Sequence, residues 1–227
     1  MNSKQLAANE ALKYIRNDMV IGLGSGSTSE CFIHALGAAI KAGTFTGIRG
    51  VATSVQSEKL AIQLGIPLTT LKECGVVDVT FDGADEVDPK LNLIKGLGGA
   101  LMREMMVEQN SRRFICLVDQ SKLSPTLGLK SPLPVEVVPF CHEAHDAFFH
   151  SIGGTPHLRT NADGSPYITD NGNYIYHLKF NEGIKSPADT ERKLLKRAGV
   201  VATGLFLSMA EMIIVGGENG AEVIRHH

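Results

Sequence analysis

Gly22-Leu23-Gly24-Ser25-Gly26-Ser27-Thr28 is the stretch that decides the fold. It follows the apolar run Met19–Leu23 and opens a helical pattern that continues through Lys41, giving the order strand, glycine turn, helix. Glycines let the backbone turn sharply and approach an anion closely. Amides at the helix start then point at that anion, with the helix dipole favouring negative charge. The hydroxyls of Ser25, Ser27 and Thr28 add donors. A tight turn with a Ser/Thr cap and no ligand would show the same pattern, so the loop alone does not fix a function. Two nucleotide readings fail. No Lys precedes the Ser/Thr as a P-loop requires, and Ser27 stands where a dinucleotide fingerprint has its third glycine. The next strand ends in Ala52-Thr53-Ser54, with no acid to hold an adenosine ribose. A small phosphate ester fits better.

Working outward, the first half alternates. A helix is expected over Ser3–Arg16, strands at Ile48–Ala52 and near Leu68–Leu71, and a helix over Ser57–Leu64. Val77–Phe81 and Phe114–Val118 are further strands, with a helix over Ala100–Gln109 between them. Short continuous apolar runs separated by helical periods indicate an α/β fold with a Rossmann-like, mostly parallel sheet covered by helices. At Ser131 the pattern changes. Ser131–Pro139 is too proline-rich for a helix. A helix (His142–Ser151), a strand near Leu158, a polar turn (Asn161–Ser165), an alternating strand (Tyr174–Phe180) and a helix (Ala188–Arg197) follow. This is a small inserted α+β unit, placed at 131–203, with 1–130 and 204–227 forming the larger domain. The final runs, Val200–Phe206 and Met212–Val215, are expected to rejoin the main sheet.

Composition excludes several classes. Apolar residues make up 43%, there is no Trp, and the net charge of −2 comes from mixed signs. No basic block suits nucleic acid. Ala198–Gly217 holds only Glu211 as a charge, but its glycines split it into two strand-like runs, unlike a membrane helix. The N-terminal stretch carries Lys4, Glu10, Lys13, Arg16 and Asp18 and does not resemble a signal peptide. Cys31, Cys74, Cys116 and Cys141 form no Cys-x-x-Cys pair, and buried free thiols in a reducing compartment are expected. His142-Glu143-Ala144-His145 lacks zinc-protease spacing and is expected on a helix surface. Met102, Met105 and Met106 suit core or interface packing; His226 and His227 close the sequence as a native pair or a tag remnant.

Phe81-Asp82-Gly83-Ala84-Asp85-Glu86-Val87-Asp88 begins where an apolar strand ends, the place where open α/β sheets bind ligands. Crowded acids repel one another, so some would be expected to hold protons and acid and base roles could coexist. Magnesium binding and a solvated turn at Pro89 compete with that reading. Then comes Ile94-Lys95-Gly96-Leu97-Gly98-Gly99-Ala100-Leu101-Met102-Arg103-Glu104. Proton removal beside a carbonyl needs a carboxylate base, which Glu104 offers. The developing oxyanion needs donors, which Lys95 and the amides of Gly96, Gly98 and Gly99 offer.

Together these motifs resemble the type A ribose-5-phosphate isomerases. The resemblance is carried by Gly22–Thr28, Asp82–Glu86, Lys95–Glu104, Asp119-Gln120-Ser121-Lys122, Pro132-Leu133-Pro134-Val135-Glu136-Val137 and Thr169-Asp170-Asn171-Gly172-Asn173. It implies an aldose–ketose isomerase in the cytoplasm, free of cofactor and metal, forming a homodimer or homotetramer, with the smaller domain ferredoxin-like. It also implies that Glu104 moves the proton between C1 and C2, that Asp82 and Asp85 assist ring opening and proton movement among the oxygens, and that Lys95 stabilises the negative oxygen. Ser25, Gly26, Ser27, Thr28, Lys4 and Lys122 would hold the phosphate or the sugar near it, with Ser54 as a further candidate. Leu97 stands where the family often has glycine, and Ser25 where it often has threonine. A sugar-phosphate-sensing domain and an acyl-CoA transferase are the competing readings. The first could dispense with Glu104, and the second asks for a longer chain.

Overall fold

In this computed structural model, which describes residues 2–225, most apolar runs become strands and the periodic stretches between them helices. His226 and His227 lie outside the described residues. Along the chain come α1 (Ser3–Ala11), β1 (Val20–Leu23), α2 (Ser27–Lys41), β2 (Arg49–Ala52), α3 (Val55–Gln63), α4 (Leu71–Cys74), β3 (Val79–Gly83), β4 (Glu86–Val87), β5 (Leu93–Ile94), α5 (Leu101–Gln109), β6 (Phe114–Asp119) and β7 (Leu133–Val137). They are followed by α6 (Asp146–Ser151), β8 (Thr155–Leu158), β9 (Tyr174–Lys179), α7 (Pro187–Leu195), β10 (Val200–Thr203), β11 (Leu205–Phe206), β12 (Met212–Gly216) and β13 (Ala221–Arg225). Contacts group the chain into two units: Met1–Ala84, Arg103–Lys122 and Ser208–His227, and Asp85–Met102 with Leu123–Leu207.

The first unit holds a six-stranded sheet in the order β13-β12-β6-β3-β1-β2. All neighbours are parallel except β13, which pairs antiparallel with β12. Every residue of β1 and β12 is buried, because helices cover both faces and leave no wet side to alternate with. On one face Ile21, Phe32, Leu36, Phe81, Ile115 and Ile214 share a core, with the Phe32 and Phe81 rings 4.4 Å apart. Ala7, Ala8 and Ala11 bring α1 onto that core at close range. The approach is closest at Gly216, where an added Cβ would sit 1.8 Å from the Ser3 carbonyl oxygen.

The second unit contains β7, α6, β8, β9, α7 and β10 in a βαββαβ sequence. Its four-stranded antiparallel sheet has the order β10-β7-β9-β8, the ferredoxin-like arrangement. Alternation sets its core: Leu133, Val135, Val137, Tyr176 and Leu178 pack with Phe149 and Leu194 of the helices. A three-stranded sheet, β11-β5-β4, completes this unit.

Four expectations are corrected. Leu68–Leu71 forms no strand: Leu68 makes a single bridge to Gly50, and Thr70 caps α4 in a box with Glu73. Val200–Phe206 does not rejoin the main sheet. It breaks at Gly204, where backbone closes on backbone, so that β10 joins β7 and β11 joins β5. His145 is not a surface residue; it is buried with its ring 5.5 Å from that of Phe149. Of the cysteines Cys116 is buried, whereas Cys141 is exposed at a left-handed φ of 48°. Met106, expected in core or interface packing, is 47% exposed in the single chain, as α5 turns Glu104, Val107 and Glu108 inward. Among the described residues no helix is long and apolar enough to cross a membrane, and no group of three or more His, Cys, Asp or Glu is placed to hold a metal ion.

Candidate active site

In the first unit, the glycine turn and the first acid of Asp82–Asp88 meet. Gly24 and Thr53 follow β1 and β2, and their N–H groups bond to the Phe81 and Leu23 carbonyls at 3.0 Å. Asp82, at the C-terminal end of β3 and fully buried, turns Oδ1 to a set of donors. The Ser25 N–H reaches it at 2.8 Å, the Ser29 hydroxyl at 2.9 Å and the Gly83 N–H at 2.7 Å. Gly24 must be glycine here, since a Cβ would lie 2.1 Å from Asp82 Oδ1. Ser25 Oγ lies 2.8 Å from Thr53 Oγ1 and donates to Ser54 Oγ at 2.7 Å, while Ser54 caps α3 in a box with Ser57. Gly26, at φ +85°, precedes α2 and brings no side-chain cap, so the amides of the first α2 turn are left for another acceptor.

Two lysines approach the same end of the sheet. Lys4 Nζ donates to Ser27 Oγ at 2.7 Å. Burial pushes the Asp119 carboxyl up, but hydrogen bonds from the Ser121 hydroxyl and amide, with the charges of Lys122 and Lys4, bring it below the usual range. One carboxylate therefore faces both lysines, which limits their mutual repulsion.

Glu104 is 4% exposed. Val107, one turn further along α5, packs with Val20, Val51 and Val77. The end of that helix abuts the start of β3, with Val77 N–H bonded to Asn110 C=O at 3.0 Å and Ser111 Oγ 2.6 Å from Thr80 Oγ1. The helix runs back over the sheet, so Glu104 is displaced about 9 Å from that point toward the strand C-termini. Those termini carry the Gly24–Thr28 turn and Asp82.

The second unit holds Asp85, Lys95, Gly96, Gly98 and Gly99. Asp85 Oδ2 accepts the Leu97 N–H at 2.9 Å, fixing the segment after Lys95. Lys95 is 2% exposed, with Nζ 5.3 Å from the centre of the Phe206 ring. An ammonium taken so far out of water has to be compensated, and its position suits a group that meets developing negative charge. Leu97 lies outside the left-handed region whereas Gly96 and Gly99 lie at +100° and +96°, so a side chain is tolerated at 97, where the family often has glycine.

The remaining acids of the cluster do not crowd one another. Glu86, fully buried, accepts backbone N–H groups from Gly128, Leu129, Lys130 and Ser131 at 2.9–3.2 Å. Asp88 holds its own turn through Lys90 and Asn92. Each carboxylate is occupied by separate donors, because Glu86 sits on β4 whereas Asp88 lies in the turn that follows it. The Pro132–Val137 and Thr169–Asn173 motifs also join each other: Glu136 Oε1 accepts from Thr169, Asn171 and Asn173 side chains at 2.9–3.1 Å. Sequence reasoning missed Ser29, Thr53 and Arg159, whose Nη1 donates to Leu97 C=O at 2.8 Å. For Ser29 the signal was present, since it lies one residue beyond the quoted loop and one helical turn from Ser25. Arg159 offered none.

Comparison with known proteins agrees with this geometry. The family model described as ribose 5-phosphate isomerase A (phosphoriboisomerase A) matches residues 49–220. Ribose-5-phosphate isomerase A of Pyrococcus abyssi is 48% identical, over 97% of this chain and 96% of its own. The structure of ribose 5-phosphate isomerase A from Methanocaldococcus jannaschii is 39% identical, with a TM-score of 0.93 over 99% of this chain and 98% of that one. A structure of a D-ribose-5-phosphate isomerase in complex with phospho-erythronic acid is 43% identical, with a TM-score of 0.96 over 100% of both chains.

Proposed function

The chain belongs to the ribose 5-phosphate isomerase A family, and from that premise we propose that Glu104 carries the proton in its reaction, the interconversion of ribose 5-phosphate and ribulose 5-phosphate in the pentose phosphate pathway. Glu104 takes the hydrogen from C2 of the open-chain aldose as a proton. The freed pair forms the C1=C2 double bond, and the carbonyl electrons move onto O1. Lys95 and the amides of Gly96, Gly98 and Gly99 take up that negative charge. The O2 proton passes to O1, and Glu104 returns its proton to C1, leaving a ketone at C2. Asp82 and Asp85 open the sugar ring and relay protons among the oxygens. Ser25, Gly26, Ser27, Thr28, Lys4 and Lys122 hold the phosphate. The proton leaves and returns with no net oxidant, so the proposed chemistry asks for no cofactor or metal.

The observation that carries this reading is the 2.8 Å bond from the Ser25 amide to Asp82 Oδ1, which ties the anion-gripping turn to an acid of the cluster. The same reading places the protein in the cytoplasm as a homodimer or homotetramer without nucleic-acid partners. It treats 1–130 with 204–227 as the catalytic domain, and its inserted domain, 131–203, lies wholly within the second unit. Phospho-erythronic acid, whose carboxylate imitates the planar two-oxygen end of an enediolate, is proposed to bind here too. The test is proton NMR of ribose 5-phosphate incubated with the protein in heavy water. Deuterium entering C2 of the aldose, with loss of turnover by several orders of magnitude in Glu104→Gln, is the expected result. Isomerisation without any exchange, or a fully active Glu104→Gln, would overturn it.

A further inference from the structure

Gly96, Leu97, Gly98 and Gly99 form a turn closed by the Gly99 N–H on the Gly96 carbonyl at 2.9 Å. Neither central residue, Leu97 or Gly98, lies in the left-handed region. In such a turn the central peptide, Leu97 C=O with Gly98 N–H, is the movable part. Rotating it by about half a turn gives the type II form, which needs a positive φ at the third residue and therefore favours glycine there. Gly98 is that third residue, so its own sterics do not prevent the flip. Across a trans peptide the Gly98 N–H points opposite to the Leu97 carbonyl. Whatever holds the carbonyl therefore aims the amide.

Arg159 holds it, 62 residues away in sequence, through Nη1 at 2.8 Å. Its guanidinium lies over the Tyr167 ring, with Cζ 3.7 Å from the ring centre, and the Tyr167 N–H bonds back to the Arg159 carbonyl at 2.9 Å. The same ring closes on Gly99, where a Cβ would lie 2.4 Å from the phenol oxygen. Asp85 secures the other peptide of the turn through the Leu97 N–H. Beside Gly98 there is space: a Cβ built there meets nothing within 4 Å. All of these residues belong to the second unit.

We propose that Arg159, braced by Tyr167, is a positioning residue that locks the central peptide of the Gly96–Gly99 turn, so that the Gly98 amide is presented to the substrate oxyanion. This rests on the enediolate reading above. Arg159 touches no reacting atom in this scheme; it removes the alternative turn. Lysine cannot replace it fully, because a single ammonium neither stacks flat on Tyr167 nor keeps a fixed fork.

The test compares Arg159→Ala and Arg159→Lys with the unaltered protein. In Arg159→Ala, kcat for ribose 5-phosphate is expected to fall about tenfold to a hundredfold, the range for loss of one charge-assisted hydrogen bond. KM stays within about twofold. Affinity for phospho-erythronic acid falls with kcat, while inhibition by inorganic phosphate is unchanged. Amide NMR of the variant shows the Leu97 and Gly98 signals broadened by exchange. Arg159→Lys shows the same pattern at smaller amplitude, and serves alone if the alanine variant does not fold. An unchanged kcat with sharp, single Leu97 and Gly98 signals overturns the proposal. So does a loss confined to KM and shared with inorganic phosphate. Glu104→Gln in the same assays separates the two ideas: if it is inert while Arg159→Ala is fully active, only the peptide lock fails. If Glu104→Gln turns over normally, the proton-transfer reading itself fails.

Discussion

Ser29 places its hydroxyl between Asp82 and Gly83, donating to Asp82 Oδ1 at 2.9 Å and accepting the Gly83 N–H at 3.0 Å. Both Ser29 and Asp82 are fully buried, so the hydroxyl is part of how the carboxylate is held in place. Ser29→Ala is expected to destabilise the fold by about 1–3 kcal/mol, the range for losing a buried hydrogen bond to a charged group. Urea unfolding of the two proteins checks this, and equal midpoints and slopes would refute it.

Glu86 predicts a larger effect with a different character. Its carboxylate faces four backbone donors, and Glu86→Gln turns an NH2 group toward some of them. A loss of about 3 kcal/mol or more is expected. The catalytic rate of whatever fraction remains folded should be little changed. A stable but inactive variant would instead make Glu86 part of the chemistry.

Lys4 bonds Ser27 at the proposed phosphate grip, outside the proton-transfer path. Lys4→Met should raise KM for ribose 5-phosphate about tenfold or more, with kcat nearly unchanged, because it removes binding common to ground and transition states. Inhibition by inorganic phosphate should weaken in step. A variant with lower kcat and unaltered KM would contradict that assignment.

Two histidines of the second unit make stability depend on acid. Burial holds His145 below the usual imidazole value, aided by the charges of Arg197 and His142. Burial, then Arg159 and His157, does the same for His177. Between these lowered values and about 6.5, the ordinary histidine pKa, the unfolded chain binds more protons than the folded one. Stability should therefore fall as pH drops below about 6.5 and level off once the folded-state rings also charge. His145→Gln should flatten that slope in denaturant titrations from pH 7.5 to 5. A slope identical in the variant would show that His145 does not contribute.

The main sheet was legible because each of its parallel strands is a short run buried on both faces, and such runs announce themselves without partners. β4, β5 and β11 are two residues each, too short for any period to show. Val200–Phe206 misled for another reason. Its apolar pattern is continuous, and the break at Gly204 is set by the Lys95 and Pro134 backbone arriving from elsewhere. The candidate site divides the same way. The Gly22–Thr28 turn and the Asp82 cluster carry local signatures, whereas Arg159 gains its meaning only from a carbonyl brought to it by the fold.

The close seat of α1 beneath Gly216 has a consequence for the order in which the molecule becomes competent. Lys4 is made some two hundred residues before the strand on which its helix rests. A nascent chain can fold its glycine turn early and still lack the cation that clasps it. Replacing Gly216 with any larger residue would leave the finished protein in that juvenile condition, folded around an unfinished grip.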